Sequence, residues 1–273
     1  KEIKRDNASS PDMFAATPPL EAKKFLFSLA ATGGGTDAHL GEYKVLFIDI
    51  KRAYMYAPET REVYVALPEQ DSTPGMCGLL NKSMYGTRGA AQSWERHYES
   101  VFVDCLGFVQ GKASICCLYH PGRDIRVVVH GDDFTCLAVK EQCDWLTAEL
   151  KKHFELKVSG CLGSDTNDDK MVRILNRTVQ WTDTGIIFES DPRHAEIVCK
   201  QLFSDEKGSY PDGSTKRSCS VKAVSTPGTK DKPEGPEVPL SGSQASQYRS
   251  LVMRINYLAQ DRSDLQFAGK ELA

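Results

Sequence analysis

Residues 125–139 read IRVVVHGDDFTCLAV, in which two adjacent acids separate two apolar runs of strand length. The polar interruption predicts a hairpin turn, and Gly131 supplies the backbone freedom that a tight turn needs. Asp132 and Asp133 would then stand at the tip of the hairpin. Most acid pairs at turns simply face solvent, but two neighbouring carboxylates also suit a divalent cation.

A third acid interrupts a second apolar run, VLFIDI at residues 45–50. An isolated charge buried in such a strand costs several kcal/mol, so Asp49 needs a compensating partner. If the two segments are neighbours in one sheet, Asp49 meets Asp132 and Asp133, and the three carboxylates repel one another unless a cation binds them. We therefore predict a site for Mg²⁺ or Mn²⁺, with the carbonyl of Ile50 as a further ligand, of the kind that performs two-metal nucleotidyl transfer.

The composition predicts a folded protein with no membrane association. The chain has 273 residues, of which 40% are hydrophobic, enough to bury a sizeable core. No apolar run approaches the roughly 18 residues that cross a bilayer. The opening KEIKRD is not a secretory signal, and the absence of an initiator Met indicates a piece of a longer protein.

Charge and cysteine content limit the function classes further. The net charge of −3 gives no global basic signature for nucleic acid, although acids gathered at a metal site lower the total without removing local basic surface. The nine cysteines include no CxxC pair and are typical of reduced thiols in an intracellular protein. Cys116, Cys117 and His120 have the wrong spacing for a zinc finger, so packing is the favoured interpretation of these residues.

Hydrophobic spacing predicts an α+β order of elements. A first helix would begin at a Thr17 N-cap and stop at Gly33–Gly35. Further helices are predicted at 90–106, at 143–154 and at 248–258, and strands at 45–50, 61–67, 114–119, 125–129 and 135–139, with a hairpin in 172–189. Residues 204–246 are rich in Gly, Pro, Ser and Lys and predict a flexible connection.

Three segments carry a more specific signal. FIDIKRAY at 47–54, EVYV at 62–65 and LNKSMYGTR at 80–88 resemble, in this order, the reverse transcriptase of copia-type LTR retrotransposons. The resemblance runs from about Phe14 to the C-terminus. Its later landmarks are GF at 107–108, GDD at 131–133, HFELK at 153–157, STP at 225–227, YRSLV at 248–252 and DRSDL at 261–265.

This resemblance implies a fold and a division into domains. We expect a right-hand polymerase palm, an antiparallel sheet with helices on one face, within residues 1–191. Residues from about 58 to 92 would be a partial fingers region, and residues 192–273 would be the thumb or connection. The predicted hairpin in 172–189 would support the end of the primer.

The resemblance also implies an activity, RNA-directed DNA polymerase. Asp49, Asp132 and Asp133 would be the catalytic metal ligands. Tyr54 would screen the 2′ position of the incoming nucleotide, with Ala53 and Arg88 as further nucleotide-binding residues. The partners would be dNTPs and a primed RNA or DNA template, and the family's RNase H and integrase portions would belong to the same polyprotein. The expected location is a cytoplasmic particle or the nucleus.

Departures from the family pattern keep two alternatives open. The family's Tyr-Val-Asp-Asp turn is His130-Gly131-Asp132-Asp133 here. The Gln and Pro of the family's Lys-Gln-Ala-Pro segment fall at Gly89 and Ala91. The basic finger strands expected before Phe14 are not present. A catalytically impaired retroelement remnant that only binds nucleic acid is therefore one alternative. A palm-fold nucleotide cyclase is the other, because HGDDF resembles the GGDEF turn of diguanylate cyclases, although Asp49 lies far upstream for that compact domain.

Overall fold

A computed structural model of the chain describes residues 15–33, 42–203 and 239–273. Several predictions from the sequence lie outside these residues. They are the stop at Gly34 and Gly35, most of the flexible connection, the STP landmark at 225–227 and the proposed start of the resemblance at Phe14.

The largest element of the fold is a six-stranded sheet in the order β4-β5-β6-β7-β1-β8. All of its neighbouring strands are antiparallel. The strands are β1 (Tyr43–Ile50), β4 (Val109–Gln110), β5 (Cys117–His120), β6 (Ile125–His130), β7 (Asp133–Val139) and β8 (Leu156–Leu162). A separate pair, β2 (Tyr64–Val65) and β3 (Gly78–Leu79), follows β1 in the chain. The strand predicted over 61–67 is therefore only two residues long.

Helices cover both faces of the six-stranded sheet, which corrects the prediction that they cover one. α2 (Ala90–Ser100) and α3 (Lys140–His153) pack on the face formed by Leu46, Ile48 and Ile50. α1 (Leu20–Thr32) packs on the opposite face, where the Phe27 and Phe47 rings have centroids 6.4 Å apart. β1 thus has apolar neighbours on both sides, because its successive side chains alternate between two covered faces.

The helix ends show two further differences from the sequence pattern. α1 begins after Pro19, which occupies the N-cap without a side-chain hydrogen bond, so the predicted Thr17 cap is wrong. Its C-terminal stop at Gly33 is confirmed, with a φ of 59°. The helix predicted over 90–106 is α2 followed by a π-helical turn at Val101–Cys105, which ends before Gly107.

The remaining strands form a three-stranded sheet in the order β11-β10-β9. These strands are β9 (Met171–Ile174), β10 (Arg177–Thr182) and β11 (Gly185–Glu189), so the predicted hairpin has three strands rather than two. Among the described residues, those up to Val172 with Gln180–Ile186 form one compact unit, and Arg173–Val179 with Ile187–Ala273 form a second. This division into compact units falls within the small sheet, and the domain boundary expected between residues 191 and 192 stays a prediction.

The second unit is mainly helical. It contains α4 (Pro192–Phe203), α5 (Gly242–Ala259) and α6 (Gln266–Leu272). Ser241 and Gln244 form a capping box at the start of α5, so this helix takes in residues 242–246, which the sequence pattern assigned to the flexible connection. In the parts of the chain that the structure describes, no helix is long and apolar enough to span a membrane.

Candidate functional site

The β6–β7 turn is anchored at both of its central residues. Gly131 has a φ of 67°, whereas Asp132 does not have a positive φ, which is the pattern of a type II′ turn. The indole N–H of Trp94 donates to the Gly131 carbonyl oxygen at 2.9 Å. The backbone N–H of Ile50 donates to the Asp132 carbonyl oxygen at 2.9 Å. The tip of the hairpin is therefore attached to α2 and to the end of β1.

Strand pairing brings Asp49 beside the two acids of the turn. Asp49 of β1 lies directly opposite Asp133 of β7. Side chains at directly opposite positions of an antiparallel pair share a face, with Cβ atoms about 4.5–5.5 Å apart. Asp132 immediately precedes Asp133, and all three residues are half-buried. Three carboxylates from two segments about 80 residues apart therefore gather at one end of the sheet.

The neighbouring acids affect the ionisation of Asp133. Burial raises the pKa of Asp133 above its ordinary value, and the negative charges of Asp132 and Asp49 raise it further. Like charges on neighbouring strands disfavour the fully ionised state. A bound cation would remove this repulsion, so the charge arrangement favours cation binding.

Lys23 is a member of this group that the sequence analysis missed. It lies on α1, and only 3% of its surface is exposed. Its positive charge lowers the pKa of Asp133 and so opposes the effect of the neighbouring acids. The signal was present in the sequence, because Lys23 falls in the same helical stripe as Leu26, Phe27 and Ala30, where a cation is unusual unless it has a partner.

Two tyrosines lie next to the carboxylates. Tyr54 follows β1 in a 3₁₀ turn at Ala53–Tyr56, and its ring centroid is 4.4 Å from that of Tyr85. Burial raises the pKa of both phenols, and the charge of Asp132 raises each further. Ala53, the first residue of this turn, is fully buried. Tyr85 was not predicted as a site residue, although it lies within the LNKSMYGTR segment.

Basic residues of β8 and of the segment after β1 lie at the same end of the sheet. Lys157 is exposed and lies opposite Asp49, on the side of β1 away from Asp133. Glu155 forms ion pairs with Lys51, at 2.8 Å, and with Arg52. These pairs fix the exit of β1, and Lys157 places a positive charge beside the carboxylates. Lys157 was not predicted as a site residue, because the β1–β8 register cannot be derived from the sequence.

Other predicted ligands stay predictions. Arg88 is half-buried in the loop before α2, and its contact with a phosphate stays a prediction. The role of the Ile50 carbonyl oxygen as a metal ligand also stays a prediction. Within the described ranges, no three His, Cys, Asp or Glu side chains are already arranged as a metal-holding group. The fit of Mg²⁺ or Mn²⁺ therefore depends on donor chemistry, since carboxylate and carbonyl oxygens are the ligands that these cations prefer.

Comparison with known proteins finds similar solved structures, and two of them are telomerases. Apo telomerase from Candida tropicalis, truncated from its C-terminal domain, has a TM-score of 0.39 and 9% identity, covering 64% of this chain and 41% of that one. Telomerase from Candida albicans in complex with a TWJ fragment of telomeric RNA has a TM-score of 0.34 and 12% identity, covering 67% and 36%. The chain thus spans about two fifths of these neighbours. No family model matches it. TM-scores below 0.5 do not establish a shared fold, so the functional assignment depends on the site residues.

Proposed function

We propose that this chain is an RNA-directed DNA polymerase domain of the copia type, which adds dNTPs to a primer 3′-hydroxyl on an RNA or DNA template. The observation that carries the proposal is the position of Asp49 opposite Asp133, with Asp132 in the anchored turn between β6 and β7. In this assignment the six-stranded sheet is the palm, residues 58–92 belong to the fingers, and residues from 192 belong to the thumb or connection. RNase H and integrase portions would complete the polyprotein.

Asp49, Asp132 and Asp133 would hold two Mg²⁺ or Mn²⁺ ions, with the Ile50 carbonyl as an added ligand. When bound, such ions lower the pKa of an attacking hydroxyl and neutralise charge on the triphosphate. The protein keeps the acids in place with backbone contacts, because Asp49 and Asp133 belong to paired strands and the Asp132 carbonyl oxygen accepts from the Ile50 N–H. The backbone at the three acids is therefore held in place, and cation binding would require their side chains to turn towards a shared ion.

The surrounding residues suit a nucleotide. The contacting rings of Tyr54 and Tyr85 offer an aromatic surface next to the acids, on which a sugar or base can pack. Tyr54 would screen the 2′ position, with Ala53 supporting its turn from the core. Lys157 and Arg88 would attract the negatively charged triphosphate.

Primer extension tests this proposal. The substrate is an RNA-templated DNA primer with dNTPs and Mg²⁺ or Mn²⁺, and the variants are Asp49→Asn and Asp132→Asn. Each removes one anionic ligand with little change in size, so we expect extension to be lost. Asp144→Asn is the matched control, because Asp144 is exposed on α3, where it pairs with Lys140, and its loss should leave extension unchanged.

The outcomes separate the proposal from its alternatives. Undiminished extension by either site variant would end the assignment of the three acids. Salt-dependent binding of primer-template without incorporation by the unmodified chain would instead indicate a retroelement remnant that only binds nucleic acid. Formation of a cyclic product from GTP alone would indicate a nucleotide cyclase, since a cyclase needs no template.

A further inference from the structure

The 3₁₀ turn that carries Tyr54 is held on two sides by its last residue, Tyr56. The backbone N–H of Glu155, the residue before β8, donates to the Tyr56 Oη at 2.7 Å. The Tyr56 carbonyl oxygen accepts from the Lys82 Nζ at 2.8 Å. Tyr56 therefore joins this turn both to the start of β8 and to the segment that carries Tyr85.

The Tyr56 ring also begins a series of contacts that leads to the acid turn. It meets the Phe154 ring edge-on, with centroids 5.3 Å apart, and the buried Phe154 ring meets the Trp94 indole edge-on at 5.2 Å. Trp94 in turn donates to the Gly131 carbonyl oxygen, next to Asp132. Two ring contacts and one hydrogen bond thus connect Tyr56 to the β6–β7 turn.

A third connection lies on the other side of the same turn. Ser83 is 1% exposed, and its backbone N–H donates to the carbonyl oxygen of Ala57, the residue after Tyr56, at 2.9 Å. The rings of Tyr54 and Tyr85 are in contact. Both rings therefore come from segments that are hydrogen-bonded to each other at Tyr56 or directly after it.

We propose that Tyr56 is a positioning residue, which holds the Tyr54 ring in place beside the acids and so sets how strongly the site prefers dNTPs to rNTPs. This inference rests on the proposed function, in which Tyr54 screens the 2′ position of the nucleotide. Excluding a single hydroxyl group requires the ring to be held to within about 0.5 Å. Tyr56 acts through the turn and does not have to touch the nucleotide.

Tyr56 is better suited to this task than Lys82, the other side chain bonded at the turn. Tyr56 is half-buried and packs against the hydrophobic core, so its ring has little freedom. Lys82 is exposed, and fixing its long side chain in one geometry costs conformational entropy. Removing the Tyr56 hydroxyl should therefore affect nucleotide choice more than Lys82→Met does.

Tyr56→Phe tests the proposal, because it keeps the ring contact with Phe154 and leaves the Glu155 N–H without its acceptor. The assay is single-nucleotide primer extension with Mg²⁺ or Mn²⁺, and the readout is kcat/KM for a dNTP divided by kcat/KM for the matching rNTP. We expect this ratio to fall by about three- to tenfold, the factor that one hydrogen bond contributes. Tyr119→Phe is the matched control, since it removes a phenol hydrogen bond to Asp124 at the β5–β6 turn, and it should leave the ratio unchanged.

Amide hydrogen exchange provides a second measurement, which does not require polymerase activity. The N–H groups of Met55 and Ala57 are bonded within or directly after the 3₁₀ turn. In Tyr56→Phe we expect faster exchange in peptides covering residues 53–57 and at Glu155, and no such change in Tyr119→Phe. A purely structural role for the hydroxyl would speed exchange without altering the nucleotide ratio.

The outcomes distinguish this proposal from the proposed function. An unchanged ratio in Tyr56→Phe, in an assay where Tyr54→Ala lowers the ratio, would overturn the positioning role. Unchanged exchange in residues 53–57 would overturn it as well, with or without primer extension. If Tyr54→Ala leaves the ratio unchanged, Tyr54 is not the screen and the role of Tyr56 in nucleotide choice fails with it. Absence of extension by the unmodified chain would count against the proposed function, and the exchange measurement would still decide whether Tyr56 holds the turn.

Discussion

Replacing Gly131 by Ala isolates the backbone conformation of the site turn. Gly131 has a φ of 67°, and a Cβ atom built there would meet no other atom within 4 Å. The substitution therefore introduces no steric overlap, and its cost is that of a left-handed backbone, about 1–2 kcal/mol. Ala also restricts the unfolded chain, which offsets about 0.4–1 kcal/mol. We expect a net loss of about 1 kcal/mol.

Gly122→Ala provides a matched control in the same sheet. Gly122 lies in the β5–β6 turn without a positive φ, and a Cβ there would make an ordinary contact with the His120 ring at 3.6 Å. This variant should be as stable as the unmodified chain or slightly more stable. The measurement is urea unfolding followed by circular dichroism, with melting temperatures alongside. Gly131→Ala should melt about 2–4 °C lower.

The two variants can refute the reasoning directly. If Gly131→Ala unfolds at the same urea concentration as Gly122→Ala, or at a higher one, the turn does not hold Gly131 in the left-handed region.

Three further substitutions test the surroundings of the site and the second unit. Trp94→Phe removes the indole donor to the Gly131 carbonyl and leaves a gap in the core, so we expect unfolding free energy to fall by about 2–3 kcal/mol and Mn²⁺ to raise the melting temperature less than in the unmodified chain. Asp133→Asn should raise the melting temperature at pH 7 without divalent cations. The pKa of Asp133 is raised above its ordinary value of 3.8, so the folded chain favours the protonated side chain, and ionisation at higher pH destabilises the fold. Asn resembles the protonated form. The gain in melting temperature from Asp133→Asn should therefore vanish near pH 4, where Asp133 itself becomes protonated. Asp191→Ala should cost about 1 kcal/mol at pH 7, because Asp191 accepts from the Arg193 N–H at the start of α4. Hydrogen bonds from the Arg193 side chain lower the pKa of Asp191 from its ordinary value of 3.8 to about 2. The stabilisation by ionised Asp191 is therefore complete above pH 3.8 and should be lost as pH falls towards 2. Melting temperatures measured along an acid titration would show this loss.

Short sequence patterns correctly predicted the parts of the fold that depend on interactions between residues close together in the chain. The β6 and β7 runs flank a Gly-containing polar break, which is enough to indicate a hairpin. The apolar stripe from Trp94 to Phe102 indicated a helix over the correct residues, although its final turn is π-helical. The proximity of Asp49 to Asp133 required the further assumption that their strands are neighbours, and the structure contains that pairing.

The errors concern features that depend on distant contacts. The prediction of one covered face overlooked the fact that Val45 and Phe47 are as apolar as Leu46 and Ile48, a pattern typical of a strand buried on both sides. Lys157 could not be related to Asp49, because a shift of one residue in the β1–β8 register would place it on the other face. Tyr85 reaches Tyr54 through a long irregular loop, whose course no periodic pattern indicates.

The position of β1 between β7 and β8 affects how the chain can fold during synthesis. Both of its partners are encoded later, with β7 ending at Val139 and β8 at Leu162. At about 5–20 residues per second, roughly 5–20 s pass between the emergence of β1 and that of its first partner. Throughout that interval β1, which is almost entirely buried in the folded chain, has no sheet to join. We therefore expect nascent chains to depend on chaperones that shield residues 43–50, and translation that pauses before β7 to increase aggregation.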